Sequence, residues 1–450
     1  MTSNLKPYDN YKKSDIPFLA EVPKDWEVYP FYSLANIKSK INNVDEELLS
    51  VYLNKGVIKY NQSTGTQVHK PSQDLSKYQL VEPGDLVLNN QQAWRGSVGV
   101  SKYRGIVSPA YYVFGLSNLV NPDFGNYLFR DSVMVNQYVL SSKGVGSIQR
   151  NLYYPFLKRV LVPLPSRIEQ EQIVKYLDYQ MVKIDKFIKT KKKLITVLKE
   201  QIESHLYGNV TGHTTIKSWE SAFPEDWKLI KSKRLFKEIK INNCPGKELL
   251  AVTQDKGVVL KKDCDINYVS PSGDLSGLKL VRKGDFVISL RSFQGGIEFS
   301  NIEGIVSPAY NVFCLRKEYS SEEYNFYYKY LFKTKAFISM LNTIVSGIRD
   351  GKNISYTDFS KLNIPVPPIE TALEVMELVK KYEYLKIQFE QEHKLLNEYS
   401  RKLISDIVTG KVDVRNIKVD GIQEINLGDE ISEDEIIDLE EVLEGEECEV

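Results

Sequence analysis

GIVSPAYYVF at 105–114 returns as GIVSPAYNVF at 304–313, with nine of ten positions identical. Working outward from this pair, the likeness continues on both sides. ELLSVYLNKGV at 47–57 returns as ELLAVTQDKGV at 248–258, and DLSKYQLVEPGDLV at 74–87 as DLSGLKLVRKGDFV at 274–287. PKDWEV at 23–28 returns as PEDWKL at 224–229, INN at 41–43 as INN at 241–243, and NLYYPFLKRVLVPLP at 151–165 as NISYTDFSKLNIPVPP at 353–368. The offset stays between 199 and 202, so the repeated unit is a whole domain and not the short period of a solenoid.

Each copy follows one plan. Short β-branched and aromatic runs broken by Gly, Pro, Asn and Asp predict strands and turns; DLVLNN (85–90), VGVSKY (98–103) and YYVFGL (111–116) are examples. A helix is predicted around Phe124–Leu140, ahead of a Gly-rich loop. Proline-punctuated strand ends, VPLP (162–165) and IPVPP (364–368), lead into a long polar–apolar stretch.

That stretch has heptad spacing. Val174, Leu177, Met181, Ile184, Ile188, Lys191, Ile195, Leu198 and Ile202 advance by three and four, as do Leu378, Tyr382, Leu385, Phe389, Glu392, Leu396, Tyr399 and Leu403. Such spacing keeps one stripe facing a partner helix and predicts a coiled-coil seam. A helix from Glu169 to Leu206 runs ~55 Å at ~1.5 Å per residue. Both stretches end at glycine signals, YGNVTG (207–212) and DIVTG (406–410). The expected fold class is α+β: two homologous mixed α/β domains joined by two long antiparallel coiled-coil helices, pseudo-two-fold. The expected boundaries are 1–165, spacer 166–212, 213–368, spacer 369–412 and an acidic tail 413–450.

The 450 residues are 42% hydrophobic and 26% charged, a globular balance with length for two or three domains. The polar start MTSNLKPYDN shows no secretory pattern. The four cysteines form no CxxC pair, which points to a reducing cytosol and away from a disulfide framework. The net charge of zero averages two unlike parts. Residues 418–450 hold 14 acidic residues and one basic, and residues 1–417 hold 58 basic and 45 acidic. A body at +13 is compatible with binding a polyanion.

Catalytic motifs are sparse. The four histidines make no HExxH, and no P-loop is present. SPAY (108–111, 307–310) and NPDF (121–124) approach the Asn/Asp-Pro-Pro-Tyr/Phe loop of amino-methyltransferases, and PGD (83–85) with KGD (283–285) approach a nuclease start. Each reads more economically as a turn. No catalytic, cofactor-binding or metal-binding residue is assigned.

Polar and aromatic residues on loops remain. Gln91, Gln92, Trp94 and Arg95 are matched in the second copy by Arg291, Ser292 and Gln294. Lys143, Gln149 and Arg150 in the Gly-rich segment are matched by Arg349 and Lys352. Gln can bond adenine and Arg guanine at base edges, and glycine lets backbone N–H groups approach phosphates. The copies differ most in these loops, which suits two similar scaffolds reading two short sequences.

Together, PKDW and PEDW, the GD turns, the doubled GIVSPAY, the GVGSIQRN segment and LVPLPSRIEQEQIV (161–174) resemble the specificity subunit of type I restriction-modification systems, over roughly 1–412. The resemblance implies two target-recognition domains on antiparallel spacer helices, reading double-stranded DNA. It also implies partners: two methyltransferase subunits and, for restriction, translocase-nuclease subunits. S-adenosylmethionine, ATP and Mg would sit on those partners. PPIETALEVM departs from the EQ-Q-I form at 169–173. Two other classes stay open: a stand-alone DNA methyltransferase or nuclease, and a coiled-coil protein scaffold without DNA specificity.

Overall fold

The computed structural model describes residues 5–53, 55–60, 71–145, 149–208, 219–244, 246–254, 256–264, 275–290, 292–344 and 354–419, without the side chains of Val145 and Gln149. The chain divides into two compact units. Among the described residues, one gathers those up to Ile188 with those from Glu392 onward to 419, and the other gathers those within Lys189–Gln391.

The first unit is built on an antiparallel sheet in the order Ala35–Lys38, Tyr111–Leu116, Asp85–Asn89, Val98–Val100. Side chains alternate across a strand, and here both faces are covered. Leu86 and Leu88 join Phe114, Phe31 and Phe129 in one apolar cluster, while Val87 and Val113 face Leu49, Val51, Val57 and Val107 in another. Phe31 meets Phe114 and Phe129 edge-on at 5.1 and 6.0 Å, the favoured aromatic geometry.

The second unit repeats the sheet as Phe236–Ile239, Asn311–Leu315, Phe286–Ile288, Glu298–Phe299. Val287 and Val312 face Leu250, Val258, Val281 and Val306. The register repeats too: Phe114 opposes Leu86 as Phe313 opposes Phe286.

The GIVSPAY motif has a steric reason at its glycine. Ile106 N–H donates to Glu47 O at 2.8 Å, and Ile305 N–H to Glu248 O at 2.9 Å. The backbones run so close that a Cβ on Gly105 would lie 2.4 Å from Glu47 O, and one on Gly304 2.5 Å from Glu248 O. SPAY closes a turn in both copies. Tyr111 N–H donates to Ser108 O, Tyr310 N–H to Ser307 O, and each serine hydroxyl accepts from the alanine two residues on.

The helix expected around Phe124–Leu140 is two helices, Pro122–Phe129 and Ser132–Leu140. Asn121 caps the first through the N–H groups of Asp123 and Phe124, with Pro122 at its start; this is the role of NPDF. Asp131 caps the second by accepting from Val133 N–H. A local cap at Asp131 thus interrupts an apolar periodicity that ran through it.

The two long helices are Arg167–Leu206 and Ile369–Val408, each of 40 residues. In the first unit, Ile173, Tyr176 and Leu177 near the start of one share the core with Leu403, Ile407 and Val408 at the end of the other. In the second unit, His205 Nε2 lies 3.8 Å from Glu374 Oε2, so end again meets start. The segments therefore run antiparallel within each unit. Along the expected stripe, Leu177, Ile195, Leu198, Ile202, Tyr382, Phe389 and Leu403 are buried, while flanking Leu373, Ile387 and Leu395 are exposed.

Each long helix ends on a left-handed glycine, Gly208 at φ 67° and Gly410 at φ 78°, as a helix C′ position favours. The repeated Pro-x-Asp-Trp packs on these ends. A Cβ on Gly410 would meet Pro23 Cδ at 2.3 Å, and one on Gly208 would meet Pro224 Cγ at 2.4 Å. Trp26 and Tyr8 both donate to Glu169 Oε1, at 2.9 and 2.6 Å, tying the first domain to the start of its helix.

Of the stretch expected as an acidic tail, 413–419 belongs to the first unit. Val414 is buried, Asp413 N–H donates to Lys6 O, and Gln172 Nε2 donates to Val414 O and Ile417 O. Residues 420–450, with nearly all the acidic charge, lie outside the described residues. No helix among the described residues is long and apolar enough to cross a membrane.

Candidate nucleic-acid interface

In the first unit the strand Asp85–Asn89 ends in a short turn of 3-10 helix, Ala93–Arg95. Ala93 is fully buried and anchors the turn against Ser132–Leu140. Trp94 Nε1 donates to Gln91 O at 2.8 Å, and Gln91 N–H donates to Asn89 Oδ1 at 3.0 Å. Gln91 and Arg95 are exposed, and Gln92 and Trp94 are half-buried.

The Gly-rich segment forms a hairpin, Ser142–Val145 with Gln149–Leu152, in which Gly144 opposes Arg150. Leu152 N–H donates to Asn90 O at 3.0 Å, which fastens the hairpin to the Trp94 turn. The Arg95 guanidinium lies 4.6 Å from the Trp94 ring and that of Arg150 lies 5.8 Å from it. Lys143 Nζ sits 3.8 Å from the Tyr153 ring and 5.5 Å from Phe156. Tyr153 and Phe156 are 40% and 46% exposed; this aromatic pair was missed in the sequence, its partner Lys143 standing 10 and 13 residues back along the chain. The backbone of Gln149 is in the hairpin, and its side chain is outside the described residues.

The second unit keeps the turn and changes its tip. Ser292–Gly295 is a single helical turn packed on Lys335–Thr343, with Asn342 Nδ2 donating to Phe293 O at 2.8 Å. Gln294 is exposed, and Gln254 Nε2 reaches its Oε1 at 3.4 Å. Lys333 Nζ holds the turn from beneath, donating to Gln254 O and Gly295 O and pairing with Glu298. Ser292 needs correction as a candidate contact: it is 1% exposed, and its hydroxyl accepts from Ser289 N–H at 2.8 Å, so it closes the turn and faces no ligand. Arg291, Arg349 and Lys352 lie outside the described residues.

The GD turns are structural. Gly84 and Gly284 have φ of 91° and 93°, and Asp85 and Asp285 accept the backbone N–H of Glu82 and Arg282 at 2.8 Å. Lys38 pairs with Asp85 at 2.5 Å. Burial pushes the Asp285 carboxyl up to about 6, opposed by the Arg282 N–H and guanidinium. Among the described residues no group of three or more His, Cys, Asp or Glu is placed to hold a metal.

The chain is thus a duplicated scaffold that keeps its strand framework and varies its turn tips. Residues 23–200 match the family described as the type I restriction modification DNA specificity domain. The chain is similar to two Methanocaldococcus jannaschii chains, the type I restriction enzyme specificity subunits MjaX (a provisional assignment) and MjaVIII. Identity is 25% to each, covering 90% and 88% of this chain and 97% and 95% of theirs. A solved chain described under complex assembly and conformational transition of the type I R-M system shares the fold. Its TM-score is 0.56 at 15% identity, over 87% of this chain and 99% of that one.

Proposed function

We propose that this chain is the sequence-reading subunit of a type I restriction-modification complex, binding double-stranded DNA at a bipartite, asymmetric target. The observation that carries the reading is the contrast within the repeat. Trp94-Arg95 in one copy stands where Phe293-Gln294 stands in the other, on strand frameworks with the same register. Two equal frameworks with unequal tips suit two half-sites of different sequence, since base edges are read by side chains while the scaffold only positions them.

The chain itself carries no catalysis in this reading. It positions two methyltransferase subunits and, where the complex restricts, translocase-nuclease subunits, all in the cytoplasm. S-adenosylmethionine, ATP and Mg belong to those partners. The polar tips Gln91, Gln92, Trp94, Arg95, Lys143, Gln149 and Arg150 serve the first half-site, and Arg291, Gln294, Arg349 and Lys352 the second. The test is reconstitution of the methyltransferase with and without this chain on duplexes of random sequence. Selective methylation only with the chain present supports the reading. Equal methylation of all sequences, or none of them, contradicts it.

A further inference from the structure

We infer that Trp94 holds Arg95 and Arg150 as a pair of guanine-reading forks, so that the half-site read by the first domain contains a G·C pair. The inference rests on the DNA-reading function proposed above and goes further by naming the base.

Two guanidinium groups share one indole, at 4.6 and 5.8 Å. Among the described residues neither has a carboxylate at ion-pair distance, although 26% of the chain is charged. Two like charges near one ring repel each other, and an acceptor-rich group bound between them would offset that repulsion. The ring offsets only part of this repulsion through its negative face.

The platform that carries the pair is held in place from several sides. The indole is fixed by its bond to Gln91 O, the turn by buried Ala93, and the hairpin carrying Arg150 by the bond from Leu152 to Asn90. A planar guanidinium fork carried on such a platform matches the O6 and N7 acceptors of guanine in the major groove. Phosphate can also be bound by lysine as a point charge, so substitution by lysine separates base reading by the fork from phosphate contact. The second copy supplies a control. It keeps a ring at the position of Trp94, as Phe293, and exchanges the guanidinium of Arg95 for the amide of Gln294. The ring is the platform and the tip beyond it carries the base preference.

The test maps methylated motifs made by the assembled methyltransferase complex carrying the natural chain, Arg95→Lys or Arg150→Lys. Thermal unfolding serves as a folding control, and binding is followed against salt. The natural motif is expected to hold a G·C pair in one half-site. Each lysine variant, which keeps the charge and loses the fork, should lower discrimination at that pair by roughly 5- to 150-fold and leave the other half-site unchanged. A motif whose affected half-site has no G·C pair overturns the inference. So do lysine variants with full selectivity when Arg→Ala weakens all sequences evenly and flattens the salt slope, since that marks phosphate contacts. If the complex with the natural chain shows no sequence preference, the DNA-reading function itself fails, and the result is distinguishable from loss at a single base pair.

Discussion

At the scale of single residues, equivalent positions in the repeat have diverged where charge is concerned. Asp85 has Lys38 at 2.5 Å, whereas the strand of the second copy offers Ile239 at that register. Asp285 is 4% exposed, and burial raises its carboxyl to about 6 from 3.8. A carboxyl with a higher pKa in the folded state holds its proton more tightly there. The group therefore favours folding most below about pH 4, and its contribution is lost as pH rises through about 6. Asp285→Asn should remove this loss, stabilising the chain by roughly 1–3 kcal/mol more at pH 8 than at pH 5. Urea unfolding of both proteins at the two pH values checks it, and an identical difference at both contradicts it. Gly105→Ala should destabilise by about 1–3 kcal/mol through the contact with Glu47 O, as Gly304→Ala should through Glu248 O; unfolding midpoints equal to the parent's would show that the strands give way at no cost. Neither effect could be read from the sequence, because both depend on which backbone lies alongside. The same holds for Ser292, whose residue type suited base contact but whose hydroxyl closes a turn.

The long helices were the most legible elements, because a stripe stepping by three and four over many turns has few other physical explanations. Both were expected, and each is 40 residues long. The break between Phe129 and Ser132 was not legible, since its apolar spacing continues through the Asp131 cap. The role of the Pro-x-Asp-Trp openings was hidden as well: Pro23 packs on a helix end at Gly410, 387 residues further on, and Pro224 on one at Gly208, 16 residues before it. If the helices set the gap between half-sites, removing one heptad from each keeps the seam in phase and shortens it by ~10 Å. The gap in the methylated motif should shorten by about three base pairs, taking ~3.4 Å per pair. An unchanged gap would show that the helices are not the ruler.

For the whole molecule, the repeat made the architecture legible while the target sequence stayed hidden. Framework residues repeat because each buries the same neighbours: Phe114 and Phe313, Val87 and Val287, Gly105 and Gly304. The tips are free of that constraint, so their meaning depends on the geometry of turn and hairpin and not on any local pattern. In the proposed function, this chain alone dictates which DNA sequence its complex modifies. Replacing the second domain's turn and strands with those of the first should convert an asymmetric target into one with two like half-sites. The most direct measurement is single-molecule mapping of methylated bases in host DNA, with the gene intact, deleted, or carrying that replacement. A bipartite motif with unlike halves is expected from the intact gene, loss of the motif on deletion, and a symmetric motif from the replacement. Methylation at an unaltered motif in all three strains would contradict it.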